Sequence, residues 1–211
     1  MKTKFTMLVV VLLAWTGSTY AQDIETVFHG GGNGVSIGGY GALSNKFTKI
    51  RGEYANFVEA YGGVYLNHRV LIGVGGGATT NNLPVPLQYS TLPDAKLSYQ
   101  YGQCGLVTEY VLASNRAVHL VAHLFTGAGF TLQYDRHDWS DERFDDMDDH
   151  RDENWFVVAE PGVQVEINLF RWARLSPGIS YRKAFGSEGR GLDDGDLSSI
   201  SYNATLKFGV F

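Results

Sequence analysis

Apolar and polar side chains alternate with period two along most of the chain, from about residue 33 onward. Successive side chains of a strand point to opposite faces, so this rhythm commits the chain to two-faced strands. It predicts eight of them, near 33–44, 52–66, 69–79, 97–112, 117–133, 154–169, 173–185 and 197–211. The clearest carries Trp155, Val157, Ala159, Pro161, Val163, Val165, Ile167 and Leu169 on one face, with Glu160, Gln164, Glu166 and Asn168 on the other. Val118, Leu120, Ala122 and Leu124 likewise alternate with His119, Val121, His123 and Phe125. The connections alternate too. Asn67-His68, 113–116 and 170–172 are tight turns, whereas 80–96, 134–153 and 186–196 are long polar loops and 45–51 is of middle length. An all-β, eight-stranded, antiparallel up-and-down transmembrane barrel has this pattern, with short periplasmic turns and longer extracellular loops.

Composition agrees. Glycine takes 26 of 211 positions, and glycine is a poor helix former. The glycines have no period of three, which excludes collagen. A hydrophobic share of 44% is too high for a disordered chain. A net charge of −5 gives no support to nucleic-acid binding.

A closed barrel also answers a physical demand. In hydrocarbon every backbone N–H and C=O must be paired within the protein, and closure leaves no open sheet edge. Several predicted strands exceed the ~9–11 residues that cross a bilayer. Tyr65, Tyr99, Tyr110, Trp155 and Trp172 near strand ends suit interfacial girdles. Phe211 closes an amphipathic last strand, the form of signal read by the barrel assembly machinery. The rival is a soluble eight-stranded cup of the lipocalin type, with apolar residues inside and polar ones outside. Charges at mid-strand on facing hairpin strands favour the membrane barrel, because they would share its lumen.

Residues 1–21 read as a signal peptide. Lys2 and Lys4 precede an apolar run at 7–14, and Thr19-Tyr20-Ala21 is a loose cleavage site. The run is too short to span ~30 Å as a membrane anchor. The barrel domain is then 22–211, in the outer membrane of a Gram-negative bacterium, in contact with its lipids. The single cysteine, Cys104, cannot form an internal disulfide and reads as a buried, inert thiol. Without Lys2 and Lys4 the chain has 15 basic and 22 acidic residues. The stretch 135–153 holds ten acids and three arginines, so it carries all of the net charge.

The polar faces define a candidate interior network: Glu59, Glu109, His119, His123, Glu160, Glu166, Arg174, Arg182 and Lys207. Pairing Leu169 with Ala173 sets Glu160 opposite Arg182, and the preceding hairpin brings Glu109 near His119. Eight strands enclose a space that side chains fill, so the reading is a plugged lumen; a narrow pore is the alternative. A lipid-modifying enzyme is another, through His119, His123, Ser176 or Ser180, but no catalytic constellation forms. Histidines at i, i+4 on a strand are ~13 Å apart, too far to share an ion, and no cofactor or metal site is assigned. In the acidic loop, Asp138, Trp139, Asp145, Asp146, Asp148 and Asp149 are candidates for surface interaction with a cation or protein partner. Their spacing is not that of an EF-hand.

The ordered set Gly38-Gly39-Tyr40-Gly41, 46–50, Tyr61-Gly62-Gly63, 73–77, Tyr101-Gly102, Glu109, Val118-His119, Gly127-Ala128-Gly129, Glu160-Pro161-Gly162, Asp196-Leu197-Ser198 and 206–209 resembles small outer-membrane barrel proteins of the Bacteroidota. That group has no established activity. The resemblance implies a barrel and an outer-membrane location, and implies no catalytic residue.

Overall fold

The computed structural model describes residues 37–67, 69–93, 95–114, 116–135 and 152–210. Eight long strands form the wall: β1 (Ile37–Ile50), β2 (Glu53–Leu66), β3 (Val70–Thr79), β5 (Leu97–Leu112), β6 (Val118–Asp135), β7 (Asn154–Asn168), β8 (Ala173–Phe185) and β9 (Ser199–Gly209). A two-residue strand, β4 (Leu83–Pro84), adds to the end of β5, and a one-turn helix, α1 (Asp194–Leu197), lies in the connection before β9. Each long strand pairs antiparallel with its sequence neighbour. β9 pairs with β1 and β3 with β5, so the sheet closes into an eight-stranded ring.

The polar run at 45–51 is not a loop of middle length. β1 continues to Ile50, paired with Glu53, and the turn is Arg51-Gly52 alone. Both residues have positive φ, at 52° and 77°, as a two-residue hairpin turn requires. The polar residues belong to the strand because Lys46 and Thr48 point inward.

Inward and outward faces are the reverse of a soluble cup. Val74 and Val157 are 64% and 60% exposed, and Leu43, Ile72, Leu106, Leu120 and Val163 lie outside with them. Inside, Lys46, Glu59, Glu109, Glu160, Glu166 and Lys207 are buried. Three expectations are corrected by the same alternation. Tyr65 and Tyr99 face inward rather than standing in a girdle, whereas Tyr110, Trp155 and Trp172 face outward. Cys104 lies on the outer wall and is exposed, because the inward place beside it belongs to Gln103.

The β7–β8 ladder differs from the others. Its pairing is interrupted between Ala159↔Lys183 and Gly162↔Ser180, and again between Gln164↔Gly178 and Ile167↔Leu175. Pro161 falls in the first gap and Pro177 in the second, and proline has no N–H to donate.

Glycine sets the close approach of β2 and β3. A Cβ on Gly73 would lie 2.4 Å from the Gly62 carbonyl oxygen and 2.9 Å from Tyr40 Oη. Overpacking of this kind costs about 1–3 kcal/mol. Gly73→Val should lower the stability of the detergent-folded barrel, read from its urea midpoint, by that amount; an unchanged midpoint would show that the wall yields freely there.

Candidate functional site

The interior of the barrel is the only region where the described residues bring many ionisable groups together. Its charges form two clusters, each built on a lysine between two carboxylates. In the first, Lys46 Nζ lies 2.9 Å from Glu59 and 3.1 Å from Glu160. Gln103 Nε2 donates to both carboxylates, at 3.2 and 3.3 Å, and Ser180 Oγ donates to Glu160 at 2.6 Å. Tyr101 Oη donates to Gln103 Oε1 at 2.6 Å. β1, β2, β5, β7 and β8 are thereby tied across the bore.

In the second cluster, Lys207 Nζ lies 2.5 Å from Glu109 and 2.8 Å from Glu166. Glu166 also accepts from Arg174 Nη1 at 2.6 Å and Ser176 Oγ at 3.1 Å, and meets His119 Nε2 at 2.8 Å. Glu109 meets His123 Nδ1 at 2.9 Å and accepts from Tyr61 Oη at 3.1 Å. The other ring nitrogen of His119 lies 3.1 Å from the Arg116 carbonyl oxygen.

Of the nine interior candidates, eight therefore fall into these clusters. Arg182 does not. The β7–β8 register sets it opposite Glu160, but the Glu160 carboxylate bonds to Lys46 and Ser180 instead. Arg182 donates from Nε to the Leu197 carbonyl at 2.7 Å and from Nη2 to the Lys49 carbonyl at 2.8 Å, with its guanidinium 4.7 Å from the Tyr101 ring centre. The pairing of Glu109 with His119 is also corrected. The β5–β6 connection is longer than a tight turn, with Leu112 opposite Leu120, so Glu109 faces His123 and His119 faces Glu166. Lys46 and Gln103 were legible only through the alternation: Lys46 stands in a polar run that reads as loop, and Gln103 stands beside glycines that blur the face.

Between the clusters, Ser44, Tyr61, His123, Gln164, Asn203 and Thr205 line a gap too narrow for a water-sized sphere. His123 Nε2 and Gln164 Oε1 have no hydrogen-bond partner there. Towards the long-loop end the interior turns apolar, with Phe57, Tyr101, Phe156, Val158, Leu192 and Leu197 buried. The loop carrying Leu192 and Leu197 is pinned by Tyr99 Oη to the Arg190 carbonyl at 2.7 Å and by Arg51 Nη1 to the Gly191 carbonyl at 2.6 Å. Asp194 accepts from the backbone N–H groups of Ser187 and Gly186, at 2.8 and 3.1 Å, and these bonds hold its carboxyl below the usual carboxylate range. Asp138, Trp139, Asp145, Asp146, Asp148 and Asp149 lie outside the described residues, as does Phe211.

No hydroxyl bonds to a histidine in either cluster: Ser176 and Ser180 both donate to carboxylates. Among the described residues no three His, Cys, Asp or Glu side chains are placed to hold a metal ion.

No protein-family model matches the chain, and no curated protein does. Solved structures do. The neisserial surface protein NspA superposes with a TM-score of 0.59 at 10% identity, over 85% of this chain and 100% of that one. A major outer membrane protein from Thermus thermophilus gives 0.50 at 8% identity, over 82% and 99%. Ail, the attachment invasion locus protein of Yersinia pestis, gives 0.45 at 10% identity, over 82% and 97%. At these identities NspA and the Thermus protein share a fold with this chain. That fold is the closed eight-stranded antiparallel barrel.

Two outcomes follow from the site. Removing Lys207 takes away the cation shared by two buried carboxylates and leaves Glu109 with neither a lysine nor an arginine, a loss of about 3–5 kcal/mol. Lys207→Met should lower unfolding stability by that much, and adding Glu109→Gln, which leaves Glu166 with Arg174, should recover part of it. A stability equal to wild type would mean that water reaches the cluster. Asp194, with its carboxyl held low in the folded loop, adds stability above the ordinary carboxylate pKa that is lost as pH falls through the lower folded value. Pepsin should therefore cut 186–198 faster at pH 2 than at pH 4 in the wild type. Asp194→Asn should flatten that difference.

Proposed function

We propose that this chain is an outer-membrane barrel of a Gram-negative bacterium of the Bacteroidota type, with a plugged polar lumen and a structural or surface-interaction role rather than an enzymatic one. The observation that carries the reading is the reversed barrel. A wall with Leu43, Ile72, Val74, Leu106, Leu120, Val157 and Val163 exposed is far more apolar than the scattered patches of a soluble surface. Hydrocarbon would cover it, and the same solvent explains why the eight long strands close into a ring. Residues 1–21 would be removed on export. The barrel assembly machinery would insert the remainder, leaving outer-membrane lipids as its constant partners.

The plugged lumen is supported by the two clusters, which cross the bore, and by the apolar layer closing its long-loop end. Four cations, Lys46, Arg174, Arg182 and Lys207, balance Glu59, Glu109, Glu160 and Glu166, so a passing ion would have to break paired charges. The pore reading loses on that point. The lipid-modifying reading loses because, among the described residues, neither interior serine bonds to a histidine and the gap between the clusters is too narrow for a substrate.

Surface interaction would fall to 135–153, whose ten acids would attract a cation or a basic protein partner. Purified protein reconstituted in planar bilayers should show no steady conductance, and steady channels would overturn the plugged lumen. In intact cells, an externally added protease should cut within 135–153. Cleavage only after lysis would reverse the orientation.

A further inference from the structure

Three short connections lie at the end of the barrel opposite the long loops: β2–β3, β5–β6 and β7–β8. Each carries one arginine, Arg69, Arg116 and Arg171, and all three are exposed. The fourth position on this rim holds the start of β1 and the end of β9. Among the described residues no carboxylate pairs with any of the three arginines. The nearest acids in sequence, Glu59, Glu109 and Glu166, are buried in the interior, where Lys46 binds the first and Lys207 the other two. An up-and-down ring spaces its connections around the rim, so the arginines occupy three of its four quarters.

Beside Arg171 stands an aromatic stack. Phe170 and Trp172 lie face to face at 5.5 Å, and Trp172 and Phe208 at 6.1 Å. All three are exposed. Such rings settle at the headgroup level of a bilayer. An arginine one residue away then meets the phosphate layer with a guanidinium fork shaped for phosphate oxygens.

We infer that the short-turn rim is a binding surface for anionic phospholipid headgroups of the leaflet it faces. The inference rests on the membrane reading above. It adds a lipid preference that a neutral leaflet would not meet: the rim carries arginines and aromatic anchors, and the acidic residues among those described lie in the interior or towards the opposite end.

The test uses the chain from Gln22 with Trp139→Phe and Trp155→Phe, so that Trp172 is the reporter. It is reconstituted in phosphatidylcholine vesicles with admixed phosphatidylglycerol, and one lipid or the other carries bromine in its acyl chains. Basic residues at an anionic surface each favour binding roughly fivefold. Brominated phosphatidylglycerol should therefore quench Trp172 several-fold beyond its share of the lipid, and high salt should shrink the excess. Arg69→Gln, Arg116→Gln and Arg171→Gln together should abolish it. A chain keeping Trp155 alone, at the long-loop end of β7, should show no excess. Equal quenching of Trp172 by the two lipids, or an excess unchanged by salt, would overturn the inference even if the triple variant failed to fold. Quenching of neither tryptophan by either lipid would overturn the membrane reading itself.

Discussion

A charge in a closed barrel has nowhere to go. It cannot reach solvent past the wall, and its transfer into a medium of low dielectric costs several kcal/mol unless a partner stands within reach. The interior meets this demand twice with the same device, a lysine held between carboxylates from two other strands. Each lysine has at least one partner far away in sequence, Glu160 for Lys46 and Glu109 for Lys207. The clusters are therefore correct only when the ring is closed in one register. A shift of one residue would turn every charge out towards the apolar surroundings and every valine in.

The inside and the outside of the wall obey opposite rules, and that is why so much of the fold was legible. Trp155 to Leu169 could be sorted face by face because Glu160, Gln164 and Glu166 break an otherwise apolar strand at alternate positions. The same logic failed where the outer face is not apolar. Asn45 and Lys49 on the outside and Lys46 and Thr48 on the inside make one polar run, which hides the end of β1 and with it Lys46. Tyrosine was the other source of error. A phenol suits either an interface or a polar interior, so Tyr65 and Tyr99 could not be placed by residue type near a strand end.

Pairing partners were less legible than faces. The hairpin about 170–172 gives its register directly, because its turn is tight. The β5–β6 connection is longer than its sequence implies, and the resulting change of register exchanges the histidine partners of Glu109 and Glu166. Partners across the bore are set by barrel closure, which no local pattern encodes. Register alone also misjudged Arg182: it stands opposite Glu160, yet the carbonyls of Lys49 and Leu197 are what its long side chain reaches.

The two gaps in the β7–β8 ladder have a mechanical meaning. Where Pro161 and Pro177 remove backbone donors, Ser180 reaches Glu160, and Arg174 and Ser176 reach Glu166, across the same pair of strands. Seven joints of the ring are zipped continuously by the main chain, and the eighth is laced in good part by side chains. A force that pried the strands apart would meet its least backbone resistance there. The ion clusters are thus also the stitching of the ring's thinnest joint.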